Sequence, residues 1–217
     1  MRIIPPSHEI LYMPDGDTIL KTIELAGRTC YKSEDKITPD SAAAFIRRIT
    51  RSGHHSVIEH MNIIVRFICD RGVSHELVRH RLAAYSQEST RYANYAQDKF
   101  GNEITVIRPF FWAENSPAYQ DWLTAMAHAE RIYLKLIREG ASPQEARSVL
   151  PNSLKTEVVM TANLREWKHV LNLRCSRAAH PQIREIMLPL LADLHKRVPV
   201  VFEAEYDKYG NEISSTD

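Results

Sequence analysis

Arg79, His80 and Arg81 stand side by side in RHRLAAYSQES, ahead of a run of small and hydroxyl-bearing residues. Three adjacent cationic or titratable groups repel one another and are hard to bury. They lie on a solvated face, or something anionic comes to meet them. Further arginines stand at Arg91, at Arg147, and at Arg165 with Arg174, each near a helix end or in a loop. The planar guanidinium fork suits phosphate and carboxylate. Taken singly, each is an ordinary surface arginine. Taken with Ser86, Ser89 and Thr90, they describe a phosphate or nucleotide site. The chain has 7 glycines and neither a G-x-G-x-x-G nor a Walker loop. A nucleotide here is therefore held by side chains and helix ends.

Ser89 invites comparison with a nucleophile, which needs a base and an oxyanion hole. His80 lies nine residues away with nothing local to mark it as that base, and no G-x-S-x-G surrounds the serine. Hydrogen bonding to a ligand ranks ahead of covalent attack. GHHSVIEH offers His54, His55, Glu59 and His60, and helical spacing would set His55 and Glu59 on one face. The H-E-x-x-H spacing is absent. Capping or hydrogen bonding to a cofactor accounts for these histidines as well, and no metal is expected.

Charge bounds the partners. Lys+Arg is 28 and Asp+Glu 27, a net charge of +1, which argues against a general nucleic-acid coat. Any anion site must be local. The three cysteines, Cys30, Cys69 and Cys175, form no C-x-x-C pair and read as a reduced, cytoplasmic protein. No apolar run is long enough for a membrane span. MRIIPPSHEI is broken by Pro5 and Pro6 and holds no signal-length apolar core.

The elements that position these residues follow an α/β pattern. Residues 17–28 read as a helix, with Ile19, Ile23 and Ala26 on one face. Pro39 is expected to open a second helix reaching about Ser52. MNIIVRFIC reads as a strand buried on much of both faces. Residues 73–81 read as a short helix capped by Ser74, with Glu76 in its first turn. A loop follows, then a short strand at Ile104–Arg108. A long helix runs from Pro117 to about Glu139, with Tyr119, Trp122, Met126 and Tyr133 at helical spacing and Gly140 ending it. A short helix follows Ser142-Pro143. Residues 154–162 alternate as a strand, with a helix as the competing reading. Residues 164–173 and 182–196 are helices, the last with a stripe of Ile183, Ile186, Met187, Leu190, Leu191 and Leu194. No composition shift marks a boundary, so residues 1–217 read as a single compact α/β domain with sheet flanked by helices.

These residues carry a specific resemblance. Arg79-His80-Arg81, seven residues and then Ser89 resemble the signature of the flavin-dependent thymidylate synthases. GHHSVIEH is similar to that family's G-H-x-[ST]-x-x-E-H segment, EARSVLP to its A-R-x-x-L-P segment, and NLREWKHVLNLR to its N-x-R…N-L-R segment. The four blocks stand in family order across residues 53–174.

The resemblance implies a non-Rossmann flavin-binding fold and the conversion of dUMP to dTMP. It implies 5,10-methylenetetrahydrofolate as carbon donor, FAD as hydride carrier, NADPH as reductant, and tetrahydrofolate as the folate product. It also implies a homotetramer with active sites between subunits. By carry-over, His54, Ser56, Arg79, His80, Arg81, Gln87, Asn163, Arg165 and His169 bind FAD. Glu76, Arg79, Gln87, Ser89, Thr90 and Arg91 hold dUMP, with Arg147 reaching in from another subunit and Arg174 at the uracil edge. Arg174 and Ser89 are the expected catalytic pair. The chain departs from the pattern at Glu76, where many members carry Gln. A carboxylate beside a nucleotide dianion repels it unless it meets a ribose hydroxyl or an arginine. The stretch CSRAAHPQIRE also fits less closely, and His180 carries no assignment. Two rival readings are a metal-dependent hydrolase on His54, His55, Glu59 and His80, and a nucleotide- or RNA-binding module on the arginines.

Overall fold

A computed structural model describes residues 1–213. The strands are β1 (Arg2–Ile4), β2 (Ser7–Tyr12), β3 (Asn62–Asp70), β4 (Ala83–Gln87), β5 (Thr105–Ile107) and β6 (Lys155–Asn163). The helices are α1 (Gly16–Thr29), α2 (Ser41–Arg51), α3 (Arg71–Leu77), α4 (Pro117–Arg138), α5 (Pro143–Ala146), α6 (Leu164–Arg174), α7 (Pro181–Arg197) and α8 (Pro199–Ile213). Strands β2, β3, β6 and β4 hydrogen-bond in that order, and β1 pairs with β5. The fold is α/β, with sheets flanked by helices. Of the polar tail, Asn211–Ile213 close α8 and residues 214–217 lie outside the described residues.

Contacts fall into two units. The first holds Met1–Ser7, Phe67–Arg79 and Tyr85–Val159; the second holds His8–Arg66, His80–Ala84 and the chain from Met160 onward. In the first, β1 and β5 run parallel with Ile3 opposite Val106. Tyr95, Ile104, Val106, Tyr119, Trp122 and Tyr133 form its core. Helix α4 is the expected one: Ser116 caps it, Pro117 opens it, and Gly140, at φ +98°, ends it in a conformation that glycine adopts without strain. In the second unit, α1 packs on α2, and α6, α7 and α8 pack on one another. The α7 stripe is core: Ile183, Met187, Leu190, Leu191 and Leu194 are fully buried.

Several expectations need correction. Helix α2 starts at Ser41 after Asp40, so Pro39 precedes the helix instead of opening it. Helix α3 is capped by Asp70, whose side chain accepts from Val73 N, and not by Ser74. It ends at Leu77, which puts Glu76 in its last turn, where the helix dipole disfavours an acid, and leaves Arg79–Arg81 beyond the helix. Ser74 is instead buried, its hydroxyl donating to Arg71 O at 2.9 Å. Strand β3 buries one face fully, through Ile63, Val65, Phe67 and Cys69, while Ile64, Arg66 and Ile68 are half-buried. Residues 154–162 resolve as strand, with Thr156, Val158, Met160 and Ala162 inward.

Strands β1, β2 and β4 and helix α8 escape the sequence reading, the last two for different reasons. Strand β4 (AAYSQ) has no β-branched residue, and the chain beside it pairs with distant sequence through Glu88 N to Glu157 O at 2.9 Å. Helix α8 does carry a stripe, Val201, Phe202, Glu205 and Tyr209. Glu205 disguises it. That acid is buried because Lys168 Nζ and Asn172 Nδ2 donate to it at 2.6 and 2.8 Å.

Candidate active site

The residues singled out by sequence divide between the two units. Glu76, Arg79, Gln87, Ser89, Thr90, Arg91 and Arg147 belong to the first; His54, Ser56, His80, Arg81, Asn163, Arg165, His169 and Arg174 belong to the second.

In the first unit, the turn after β4 presents hydroxyls and guanidinium groups. Ser89 Oγ accepts from Arg91 N at 3.3 Å, which leaves its O–H to donate to a ligand. Among the described residues no imidazole or carboxylate hydrogen-bonds that hydroxyl. Arg147 Nη1 reaches Thr90 Oγ1 at 3.5 Å within the same chain. Arg79, Arg91 and Arg147 are exposed, and Arg91 lies 5.5 Å from the centroid of the Tyr92 ring. Gln87 is committed internally: its amide nitrogen donates to Ser74 Oγ at 3.0 Å and Thr156 Oγ1 at 3.2 Å. Arg71 Nη1 reaches the same threonine at 3.3 Å. Ser74, Thr156 and Arg71 thus fix the end of β4, a supporting network with no signature in the local sequence.

In the second unit, α6 packs on the short helix His55–His60. Leu164 N donates to Met61 O at 3.0 Å, and Arg165 Nη1 to Glu59 at 2.6 Å. GHHSVIEH and NLREWKH therefore meet. The His55–His60 turn is a 3-10 helix with three residues per turn, so His55 and Glu59 do not share a face as expected. Asn163 caps α6 through Oδ1, accepting from Glu166 N at 2.9 Å, and its amide nitrogen is the group left for a ligand. A cleft of about 510 Å³ opens here, lined by Glu59, Leu82, Asn163, Arg165, Glu166 and His169. The sequence reading missed Glu166. It sits three residues after the Asn163 cap and is buried.

His80 is the hub. Arg174 Nε donates to its Nε2 at 2.9 Å, Glu166 Oε1 lies 3.6 Å from its Nδ1, and the His169 ring meets it edge-on at 5.7 Å. Burial, then Arg174, then His169 hold the His80 imidazole down to about 4. It is neutral at pH 7 and makes no ion pair with Glu166 there. Because a guanidinium N–H must donate, Nε2 accepts and the ring proton sits on Nδ1, facing the Glu166 carboxylate.

His80, Glu166 and His169 offer ligand atoms within 4.8 Å of one another. Arg174 nevertheless occupies His80 Nε2 and sets a positive charge where a metal cation would sit. The histidines of GHHSVIEH do not join this group. The Asn163 amide, the Arg165 guanidinium and the His169 imidazole are the donors of the cleft, beside the exposed Leu82 and the carboxylates of Glu59 and Glu166. An anion bound there competes with Glu59 for Arg165.

The folded His80 value lies below the ordinary 6.5, so between the two the unfolded chain binds the proton more readily. Stability is full above about 6.5 and falls as the pH drops toward about 4. The melting temperature of the protein falls across that interval, and His80→Gln flattens the fall. Equal slopes in the two proteins would refute this assignment.

One unit thus presents arginines and hydroxyls, and the other a neutral histidine that accepts from Arg174 and meets Glu166 and His169 of the cleft lining. The family model described as thymidylate synthase complementing protein matches residues 10–200. The flavin-dependent thymidylate synthase of Pyrococcus abyssi is 34% identical over 185 residues, covering 82% of this chain and 75% of the relative. That of Corynebacterium efficiens is 33% identical over 210 residues, covering 91% and 84%. The chain belongs to the flavin-dependent thymidylate synthase family. A UMP/dUMP methylase, PolB from Streptomyces cacaoi, solved with 5-Br dUMP, shares the fold at TM-score 0.77 and 22% identity, covering 97% of this chain and 98% of that one. Among the described residues no helix is long and apolar enough to cross a membrane. All three cysteines are free, and burial pushes the Cys175 thiol up to about 12.

Proposed function

We propose that this chain converts dUMP to dTMP in the cytoplasm. It takes the carbon from 5,10-methylenetetrahydrofolate, uses NADPH-reduced FAD and releases tetrahydrofolate, as a homotetramer that shares its active sites. Family membership over residues 10–200 supports the reading. The geometric observation that carries it is Arg174, held at 2.9 Å by a neutral His80. The flavin, when bound, supplies the hydride. The chain's own residues bind, orient and manage charge.

Carbon 5 of uracil is a weak nucleophile. Loss of the proton on nitrogen 3 spreads negative charge through the ring and enriches carbon 5. A guanidinium already in place at that edge stabilises the charge as it forms, without the cost of reorganising solvent. His80 keeps Arg174 in place without a competing positive charge of its own. Arg79, Arg91 and Arg147 meet the phosphate, Thr90 supplies a hydroxyl, and Ser89 orients the base. Asn163, Arg165 and His169 bind the dinucleotide, with His54, Ser56 and Arg81 from the neighbouring segments of the same unit. Glu76 meets a ribose hydroxyl or an arginine, the arrangements in which a carboxylate tolerates a nucleotide dianion.

The test is the absorbance spectrum of protein incubated with FAD and desalted. Retained flavin bands that bleach with NADPH, followed by dTMP once dUMP and methylenetetrahydrofolate are added, are expected. A colourless protein would sink the synthase reading, and metal analysis at His80, Glu166 and His169 would come next.

A further inference from the structure

A second cleft in the same unit, also about 510 Å³, is lined among others by Arg28, Tyr31, Lys36, Phe45, Arg48 and His54. Its cations come from three segments: the last turn of α1, the 3-10 turn Glu34–Lys36, and α2. Arg28 is buried, and its Nε and Nη2 are tied to Glu24 Oε1 at 2.8 and 2.7 Å. Its guanidinium sits 4.7 Å from the centroid of the Phe45 ring, and that of Arg48 sits 5.5 Å from the same ring. An aromatic floor thus carries two arginines in set positions. Glu24 is consumed by Arg28 and by the Ser41 hydroxyl, which donates to it at 2.9 Å. The nearby acids Glu34 and Asp35 do not line the cleft. Among the described residues neither Lys36 nor Arg48 has a carboxylate partner. None of these three cations belongs to the flavin or nucleotide sets described above, yet His54, at the rim, does.

We propose that this cleft binds the carboxylates of the glutamyl tail of the folate co-substrate. The proposal rests on the synthase reading above. Polyanion binding is the shared chemistry of a glutamyl chain and of an oligophosphate. The glutamyl chain is favoured because the cations come from three segments and the exposed pair, Lys36 and Arg48, stands on two of them. A compact phosphate is more commonly cradled by backbone N–H groups and glycines, and no glycine lines this cleft. A tail of linked carboxylates offers one to Lys36 and another to Arg48.

The experiment uses the FAD-loaded protein and the double variant Lys36→Ala/Arg48→Ala. Both residues are exposed, so the variant keeps the fold, checked by flavin retention. Wild-type KM for methylenetetrahydrofolate is expected to be about tenfold lower for the triglutamate than for the monoglutamate, since each exposed ion pair supplies a few-fold. In the double variant the gap closes while kcat and the KM for dUMP stay put. Equal KM values in the wild type, or a gap that survives in the variant, overturns the proposal. Binding is also read directly by NMR titration with a tri-γ-glutamate peptide and with tripolyphosphate. Peptide binding that the double variant loses supports the tail site even in a protein that makes no dTMP, an outcome that fails only the synthase reading. No peptide binding, or tripolyphosphate displacing the peptide at equal concentration, overturns it.

Discussion

Arg174→Ala retains FAD and loses dTMP formation by about a hundredfold to a thousandfold in kcat, the effect of removing one preorganised donor to a developing anion. Flavin retention is expected because Asn163, Arg165 and His169, which line the cleft, remain. Arg174→Lys restores the charge but not the fork that serves His80 and the ligand together, so it recovers only part of the rate. The variant has a second signature. Burial is the largest cause of the low His80 value and Arg174 the next, so loss of the guanidinium lets the imidazole titrate nearer its ordinary range. The acid limb of the residual pH–rate profile therefore moves upward. Single-turnover dTMP formation across pH checks both effects. Undiminished turnover, or an unmoved acid limb, contradicts the role given to Arg174.

Trp167→Ala is expected to cost about 3–5 kcal/mol of stability, a large share of a typical domain's reserve. Trp167 is fully buried in the second unit, and its Nε1 donates to Ile63 O at 3.2 Å. That bond pins α6 to β3, and α6 carries Arg165, Glu166, His169 and Arg174. Removing the indole opens a cavity beneath the residues that set His80 and removes the bond from α6 to the Ile63 carbonyl. Trp167→Phe keeps most of the ring volume and loses the bond, at about 1–3 kcal/mol. Chemical denaturation of the two variants separates these contributions. In the phenylalanine variant, flavin affinity is expected to fall with the precision of α6, although Trp167 lines neither cleft. A loss below 1 kcal/mol in Trp167→Ala would show that α6 is held by other contacts.

Local patterning carried much of this protein. The long run of α4, the α7 stripe, and the strands at 62–70 and 155–163 follow from periodicity and from caps such as Ser116 and Gly140 that act within a turn. The candidate residues were equally legible, because RHR…S, GHHSVIEH, EARSVLP and NLREWKHVLNLR are contiguous strings. What those residues do to one another was not. Arg174 and His80 are 94 positions apart, Gln87 and Thr156 69 apart, and Arg165 and Glu59 106 apart. A helix or strand repeat extends over a few residues, so it says nothing of pairs at such separations. Burial is settled there too: Glu166 reads as one more surface acid until packing encloses it beside His80. The same holds for the protonation of His80. An imidazole between two arginines in sequence reads as one more positive charge, and it becomes a neutral acceptor only once folding has removed its water and placed the Arg174 guanidinium on its ring.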